Sequence, residues 1–178
     1  MDTPYFPLFI NLSGKKILVA GGGKIALRRV RTLMRFGADI RVVSPVLCAE
    51  LEELCSASDT SGRKDREENA SGLNGTLYIS RRKYESGDAD GAALAIAATD
   101  DRETNRRICR ECREMGIPVN TADERGECDF YFPSVVMTDS IVVGINSGGE
   151  DPGRTKKIRR KIEDLLAVDE KDRWYDEK

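Results

Sequence analysis

Three consecutive glycines are the first residues of this sequence whose type and spacing indicate chemistry. With the alanine three positions later they complete the pattern G-x-G-x-x-A, which binds a dinucleotide pyrophosphate when it joins a strand to a helix. Gly21 would form the tight turn, Gly23 would let the backbone approach the phosphates, and Ala26 would let helix and sheet pack closely. Free N–H groups at the start of the helix would then face the anion. The predicted cofactor-binding residues of this turn are Gly21, Gly22, Gly23, Lys24, Ile25 and Ala26.

The end of the next apolar stretch offers Ser44 and Pro45 to the same cofactor. In dinucleotide-binding folds this position usually carries an Asp or Glu that binds the adenosine ribose. The Ser44 hydroxyl can bind a ribose, but it does not exclude a 2′-phosphate. We therefore expect a nicotinamide dinucleotide, and the residue type leaves the choice between NAD and NADP open.

Polar residues also follow two later apolar stretches, Thr99 and Asp100 after one, and Asn120 and Asp123 after the other. Thr99 either contacts the cofactor or belongs to a helix cap, and the sequence favours neither. Because the chain contains no histidine, Asp123 is the best candidate for a general acid or base. An aspartate after a strand is also often a turn or cap residue. We assign Asp100 and Asn120, with Thr99, to the cofactor-binding set.

Alternating strand and helix patterns must position these residues. Apolar runs predict five strands, at Lys16–Ala20, Ile40–Val43, Leu77–Ser80, Ala92–Ala98 and Ile117–Thr121. Helices are predicted between them, at Ile25–Met34, Val46–Leu54 and Glu103–Met115. This alternation implies an α/β fold, a Rossmann-type doubly wound parallel sheet. Because the candidate residues lie at or just after the ends of strands, the carboxyl edge of this sheet is the predicted binding cleft.

The pattern changes after Asp123. Two short strands, within Phe130–Val136 and Ser140–Ile145, precede a basic amphipathic helix at Pro152–Leu166. This small β/α arm has little core of its own, so we expect it to bury its apolar face against the sheet or a second subunit. The predicted domains are therefore residues 1–123, with a polar surface insertion at 58–75, and a dimerisation and substrate arm at 124–178.

Composition narrows the class of protein. The 178 residues carry a formal net charge of −2, so no nucleic-acid partner is expected. The apolar run Ala92–Ala98 is far shorter than the roughly 20 residues needed to cross a bilayer, and no membrane association is expected. The N-terminus lacks a basic segment followed by an apolar one, which predicts a cytoplasmic protein without a signal peptide.

The five cysteines are an odd number, which argues against a disulfide framework. Cys109 and Cys112 have the spacing of a redox or metal-binding pair. No second such pair and no histidine accompany them, so we expect no metal site. A redox or metal-responsive protein built on these two thiols stays an alternative.

Six blocks of sequence, taken together, identify a family. They occur in order along the chain, at Tyr5–Phe9, Val19–Arg29, Ala95–Asp101, Asn120–Asp123, Cys128–Pro133 and Ile145–Gly149. In these blocks the chain resembles the precorrin-2 dehydrogenase family, which also forms the N-terminal part of siroheme synthases. The resemblance extends from Tyr5 to about Leu166.

The resemblance implies an NAD-dependent enzyme that oxidises the tetrapyrrole precorrin-2 to sirohydrochlorin, and a homodimer whose arms interlock. The family's catalytic aspartate matches Asp123, and Ser147 matches a position that lines the tetrapyrrole cleft in relatives. The substrate carries many carboxylates, so Gly148 and Arg154, which follow Ser147 closely, join the predicted substrate-binding residues.

Some family members also insert iron into the product. Because this sequence stops soon after Trp174, without the helical tail of many members, we expect the dehydrogenase alone, without a complete ferrochelatase activity. The alternative to an enzyme is an NAD-sensing regulatory Rossmann module. Such a module would usually carry a carboxylate where Ser44 stands, and it would not need the Cys128–Pro133 block.

Overall fold

A computed structural model describes residues 5–59 and 75–176. These residues form two compact units. The sheet unit is Phe9–Phe130, and the arm unit comprises the residues from Tyr131 onward with the short segment before Phe9. The predicted surface insertion at 58–75 lies, apart from its ends, outside the described residues.

In the part of the sheet unit that the structure describes, five strands are parallel: β1 (Lys16–Ala20), β2 (Asp39–Val43), β3 (Thr76–Ser80), β4 (Leu94–Ala97) and β5 (Val119–Thr121). Their spatial order is β3-β2-β1-β4-β5, and every neighbouring pair is parallel. The predicted Rossmann-type doubly wound sheet is confirmed. The strand order reverses between β1 and β4, so the carboxyl ends of these two strands flank the crevice where such folds bind ligands.

Burial explains why the central strands are so uniformly apolar. Ile17, Leu18 and Val19 of β1 are all fully buried, although successive side chains point to opposite faces of the sheet. Helices cover both faces of a doubly wound sheet, so neither face tolerates a polar side chain here.

The described residues of the sheet unit include three helices: α1 (Lys24–Met34), α2 (Ala49–Asp59) and α3 (Arg102–Glu114). Helix α1 and helix α3 begin and end within a residue or so of their predicted limits. Asp101 is the N-cap of α3, where its carboxylate accepts a hydrogen bond from the backbone N–H of Glu103 at 3.1 Å. This bond fixes the residue at which α3 begins.

One connection differs from the predicted pattern, and a second, between β3 and β4, has no helix, as none was predicted there. Helix α2 begins at Ala49 rather than Val46, because the preceding residues pack beneath the glycine turn, where the Cys48 N–H donates to the Gly22 carbonyl at 2.8 Å. The connection from β3 to β4 is held by a bidentate pair between Arg82 and the buried Asp88, at 2.8 and 2.6 Å. Hydrophobic periodicity does not predict polar pairs of this kind, because it reports only the spacing of apolar residues.

The sheet unit continues past Asp123, the predicted end of the first domain. A 3₁₀ turn at Arg125–Glu127 leads the chain back along β5. There the Asp129 N–H donates to the Val119 carbonyl, and the Asp129 carboxylate accepts from the Val119 N–H, both at 2.9 Å. These bonds fasten the segment to the edge strand of the sheet.

In the arm unit, β6 (Ser134–Met137) pairs antiparallel with β7 (Val142–Ile145), and helix α4 (Pro152–Asp176) packs on β6. The rings of Tyr5 and Tyr131 lie 4.4 Å apart within the same unit. Both strands are shorter than predicted and the helix is longer. The β/α composition of the arm agrees with the sequence.

Candidate functional site

The glycine turn after β1 has no room for side chains at its first two positions. Gly21 has φ +117°, which favours glycine, and a Cβ there would lie 2.1 Å from the carbonyl oxygen of Ala98. A Cβ at Gly22 would lie 2.1 Å from the carbonyl oxygen of Val46. Both glycines therefore let the turn pack against the ends of neighbouring segments.

Gly23 is different, because a Cβ built on it would meet no atom within 4 Å. It is the N-cap of α1, and no side chain caps the helix or adds an acid to its first turn. The following Lys24 and Ile25 are exposed, whereas Ala26 is fully buried against the sheet. The turn thus presents helix N–H groups and bare backbone to open space, which is what a pyrophosphate requires.

Ser44 and Pro45 lie at the end of β2. Ser44 is buried beneath Gly22, and its hydroxyl donates a hydrogen bond of 2.7 Å to the Val46 carbonyl. Pro45 is exposed. The Ser44 proton is thus used within the chain, so this serine also supports the shape of the turn.

Thr99, at the end of β4, is joined to a side chain that the sequence did not suggest. Asn105 of α3 is fully buried, and its Oδ1 accepts from the Thr99 N–H at 3.1 Å and from the Thr99 hydroxyl at 2.7 Å. Its Nδ2 donates to the Thr99 carbonyl at 3.2 Å. Thr99 is therefore held to α3, and the neighbouring Asp100 is exposed to solvent.

The Asp123 carboxylate is held at the end of β5 by three side-chain donors. Thr121 donates its hydroxyl proton to Oδ1 at 2.5 Å, and Arg102 approaches the same oxygen at 3.3 Å. Asn105 donates to Oδ2 at 2.9 Å. The side chain still keeps 31% of its exposure, so the carboxylate is anchored but reachable.

These donors decide the charge of Asp123. Burial alone raises the pKa of its carboxyl, but the hydrogen bonds from Thr121 and Asn105 and the charge of Arg102 outweigh it. The net result is a pKa below the ordinary value for aspartate, because each donor stabilises the ionised form. Asp123 is therefore a carboxylate at neutral pH.

Arg102 itself is shared between two acids. Its Nη2 donates to the Glu127 carboxylate at 2.6 Å, a shorter distance than the 3.3 Å between its Nη1 and the Asp123 carboxylate. The sequence signal for Arg102 was weak, because a cation in the first turn of a helix is usually on the surface. The signal for Asn105 was present: it shares one face of α3 with the buried Ile108 and Cys112, where a polar residue is uncommon.

Asn120 of β5 lies next to Thr121, but its side chain binds the segment that follows Asp123 rather than the Asp123 carboxylate. Its buried side chain donates to the Phe130 carbonyl at 2.9 Å and approaches the Cys128 sulfur at 3.4 Å. The predicted role of Asn120 in cofactor binding stays a prediction, while its observed contacts anchor the segment that follows Asp123.

The predicted substrate residues lie in the arm unit. The Ser147 oxygen accepts from the Thr155 hydroxyl at 3.0 Å, and Gly148 adopts φ +63° while its N–H donates to the Asn146 side chain at 2.9 Å. Arg154 is exposed in the first turn of α4. The turn and the start of the helix are thus ordered together.

Cys109 and Cys112 are both buried in α3, and burial is the main reason that their pKa values rise, to about 11 and about 12. Raised values disfavour the thiolate that binds metals and attacks disulfides. Among residues 5–59 and 75–176, no group of three or more His, Cys, Asp or Glu side chains could hold a metal ion. These thiols are part of the core.

The strand order and the glycine turn together define a dinucleotide-binding Rossmann domain. The sequence matches, over residues 8–134, the family described as "Putative NAD(P)-binding". The chain belongs to this NAD(P)-binding family. The expected class of cofactor is thereby confirmed.

Two relatives and one solved structure extend the comparison. The chain is 43% identical to the "Probable multifunctional siroheme biosynthesis protein HemA" of Ruminiclostridium josui, covering 90% of this chain and 28% of the relative. It is 40% identical to a siroheme synthase of Ectopseudomonas mendocina, covering 92% and 31%. The structure of "SirC, precorrin-2 dehydrogenase" matches with a TM-score of 0.65 at 24% identity, over 90% of this chain and 71% of that one.

The chain therefore spans less than a third of the length of the two curated relatives. The sequence resemblance to the siroheme synthase and precorrin-2 dehydrogenase family is confirmed, and the solved structure shows the same fold. Within the described part of the chain, no helix has the length and apolar composition that a bilayer crossing requires.

Proposed function

We propose that this chain oxidises precorrin-2 to sirohydrochlorin with NAD as the hydride acceptor. The observation that carries the proposal is the anchored, ionised Asp123 carboxylate at the carboxyl edge of an NAD(P)-binding sheet. The relatives named for siroheme synthesis supply the substrate class, and the solved neighbour is itself named a precorrin-2 dehydrogenase.

The reaction removes two hydrogens from the tetrapyrrole, one as hydride and one as a proton. Bound NAD supplies the group that accepts the hydride. The chain's own residues do the rest: the backbone at Gly23 and the start of α1 bind phosphate, and the Asp123 carboxylate receives the proton. A carboxylate held by Thr121 and Asn105 keeps the same orientation from one turnover to the next.

The arm unit offers cations to a substrate that carries many carboxylates. Exposed basic side chains follow the Ser147–Gly149 turn along α4: Arg154, Lys156, Lys157, Arg160 and Lys161. Charge-assisted hydrogen bonds to carboxylates are among the strongest available to a protein surface. We assign substrate binding to Ser147, Gly148 and Arg154 on this basis.

The proposal includes a cytoplasmic homodimer. Phe6 and Leu8 of the arm unit keep 86% and 71% of their exposure, apolar surface that a second copy would cover. Cys48, Cys109, Cys112 and Cys128 form no disulfide, which fits a reducing compartment. Light scattering of the purified chain should give the mass of two copies, and a monomer at micromolar concentration would contradict the dimer.

The activity is tested anaerobically with enzymatically generated precorrin-2. Reduced-nicotinamide absorbance and the sirohydrochlorin spectrum are followed with NAD and, separately, NADP. We expect turnover with NAD that falls about 100-fold or more in Asp123→Asn, since general-base catalysis contributes about 10²–10⁴-fold. Glu124→Gln, one residue along and exposed, is the matched control and should keep its activity.

Two outcomes would contradict these assignments. Full activity in Asp123→Asn would return Asp123 to a structural role. A wild-type protein that binds NAD tightly but never oxidises precorrin-2 would contradict the dehydrogenase and favour a sensing module.

A further inference from the structure

Asn105 is the most unusual residue of helix α3. It is fully buried on the apolar face that includes Ile108 and Cys112, although an amide is costly to bury unless all its hydrogen-bonding groups are used. Here all are used. Nδ2 donates to the Asp123 carboxylate and the Thr99 carbonyl, and Oδ1 accepts from the Thr99 N–H and hydroxyl.

This network fixes the amide in one orientation. Exchanging its oxygen and nitrogen would place Oδ1 against two acceptors, the Thr99 carbonyl and Asp123 Oδ2, and would place the NH₂ group against the Thr99 N–H. Asn105 thus points a hydrogen-bond donor at Asp123 and is itself held by the end of β4.

We propose that Asn105 is the positioning residue of the Asp123 carboxylate, tying it to Thr99 so that the ends of β4 and β5 move as one. The catalytic consequence rests on the proposed function of Asp123, whereas the positioning of the carboxylate does not. Thr99 follows the strand that flanks the ligand crevice, so the amide links the cofactor side of the sheet to the base.

Other groups of the sheet unit also lie near Asp123, and comparison with them shows which oxygen of the carboxylate Asn105 holds. Arg102 of α3 and the Thr121 hydroxyl of β5 both contact Oδ1, and Glu127 lies behind Arg102. Among the described residues, Glu124, Cys109 and Cys128 also interact electrostatically with Asp123, Arg102 or Glu127. Oδ2 receives its side-chain hydrogen bond from Asn105, so losing that amide releases one side of the carboxylate.

The first test does not depend on activity. The Asp123 carboxyl is titrated by ¹³C NMR, with its signal assigned from Asp123→Asn, in the wild-type protein and in Asn105→Leu. Because the amide stabilises the ionised form, the leucine variant should raise the pKa of Asp123. Cys112→Ala, an equally buried change on the same helix face, should leave this titration unchanged.

The second test is kinetic. We expect Asn105→Leu to lower kcat about 100-fold, as small misplacements of catalytic groups do. Cys112→Ala should keep its kcat even where it lowers the melting temperature. If Asn105 had only a structural role, Asn105→Leu and Cys112→Ala would both lower the melting temperature and would have similar kcat values.

Asn105→Asp keeps the shape of the side chain and supplies a distinct signature. Two carboxyl groups at hydrogen-bond distance cannot both ionise easily, so one of them keeps a proton to a raised pH. While carboxyl 105 is protonated it can donate to Asp123, and activity should be partly retained. As the pH rises and that proton is lost, kcat should fall, which gives the variant an alkaline limb that the wild-type profile lacks.

The outcomes of these tests distinguish failure of the positioning role from failure of the proposed function. An unchanged Asp123 titration in Asn105→Leu, or a pH profile of Asn105→Asp that matches the wild type, would overturn the positioning role. If Asn105→Leu does not fold, the shape-conserving Asn105→Asp decides through its pH profile and its own NMR titration. A wild-type protein without precorrin-2 turnover would contradict the proposed function, and the NMR titration would still decide on Asn105.

Discussion

Adjacent glycines of the turn after β1 should respond in opposite ways to the same substitution. Gly22→Ala places a Cβ 2.1 Å from the Val46 carbonyl oxygen and 2.8 Å from the Ser44 hydroxyl. Neither neighbour can retreat easily, because the Ser44 hydroxyl is bonded to that carbonyl and the Cys48 N–H is bonded to Gly22 itself. Overpacking of this kind costs about 3 kcal/mol. At about 3 °C per kcal/mol, the melting temperature should fall by about 10 °C.

Gly23→Ala should leave the fold intact and weaken dinucleotide binding. Gly23 has φ −83°, which alanine adopts readily, and its Cβ would meet nothing within 4 Å. The gain of about 0.4–1 kcal/mol from a stiffer unfolded chain is offset by the poorer N-cap. The melting temperature should therefore change by less than about 3 °C. The added methyl occupies the space through which a pyrophosphate approaches, so the dissociation constant for NAD should rise at least about 10-fold, or about 1.4 kcal/mol.

The assay pairs thermal unfolding without ligand with calorimetric titration of NAD for both variants. Wild-type affinity in Gly23→Ala would show that the pyrophosphate does not approach this backbone, and it would refute the assignment of the turn. A normal melting temperature in Gly22→Ala would refute the packing of the turn against Val46.

Three further predictions concern charge and thiols. Since the hydrogen bond from Arg82 is the main reason that the pKa of Asp88 lies below its ordinary value, this carboxylate stabilises the fold above about pH 4 and loses that effect as the pH falls through its lowered value. Denaturant unfolding should show Asp88→Asn less stable than wild type at pH 7, with the gap narrowing at pH 3. Cys109 and Cys112 should resist iodoacetamide at pH 8 until the chain unfolds, because their pKa values lie near 11 and 12; rapid labelling of the native protein would contradict their burial. Because the pKa of Asp123 is lowered, kcat/KM should show no acid limb from this group above about pH 4, and a limb near pH 6 would contradict its ionised state.

The elements that carry strong local signals could be predicted from the sequence. Strand β1 has its predicted limits, Lys16–Ala20, because an uninterrupted apolar run ends at a glycine turn. Helix α3 was predicted to within one residue at each end, because Asp101 caps it and Gly116 follows it. The doubly wound parallel sheet was predicted from the alternation of strands with helices, since right-handed crossovers allow few arrangements.

Local sequence signals were weakest where individual hydrogen bonds fix the path of the chain. The connection from β3 to β4 depends on Arg82 and Asp88, six residues apart in a polar segment without periodicity. Helix α2 starts late because Cys48 is needed beneath the glycine turn. Neither contact follows from propensity, because each joins residues whose meeting is decided by the packed sheet.

The candidate site likewise combines a residue that the sequence predicted with partners that it did not predict. The position of Asp123 after a strand was visible in the sequence, since strand ends meet at one edge of a parallel sheet. Its partners were not, because Arg102 and Asn105 lie on a helix about 20 residues earlier and reach it only through the fold. A polar residue on the apolar face of α3 was the available clue to Asn105.

The most direct measurement is a single-turnover experiment with the purified chain, precorrin-2 and excess NAD under anaerobic conditions. One reduced nicotinamide should form for each sirohydrochlorin, with both absorbance changes rising at the same rate and both lost together in Asp123→Asn. Sirohydrochlorin formed without reduced nicotinamide, or neither product despite saturating NAD, would contradict an NAD-dependent oxidation by this chain.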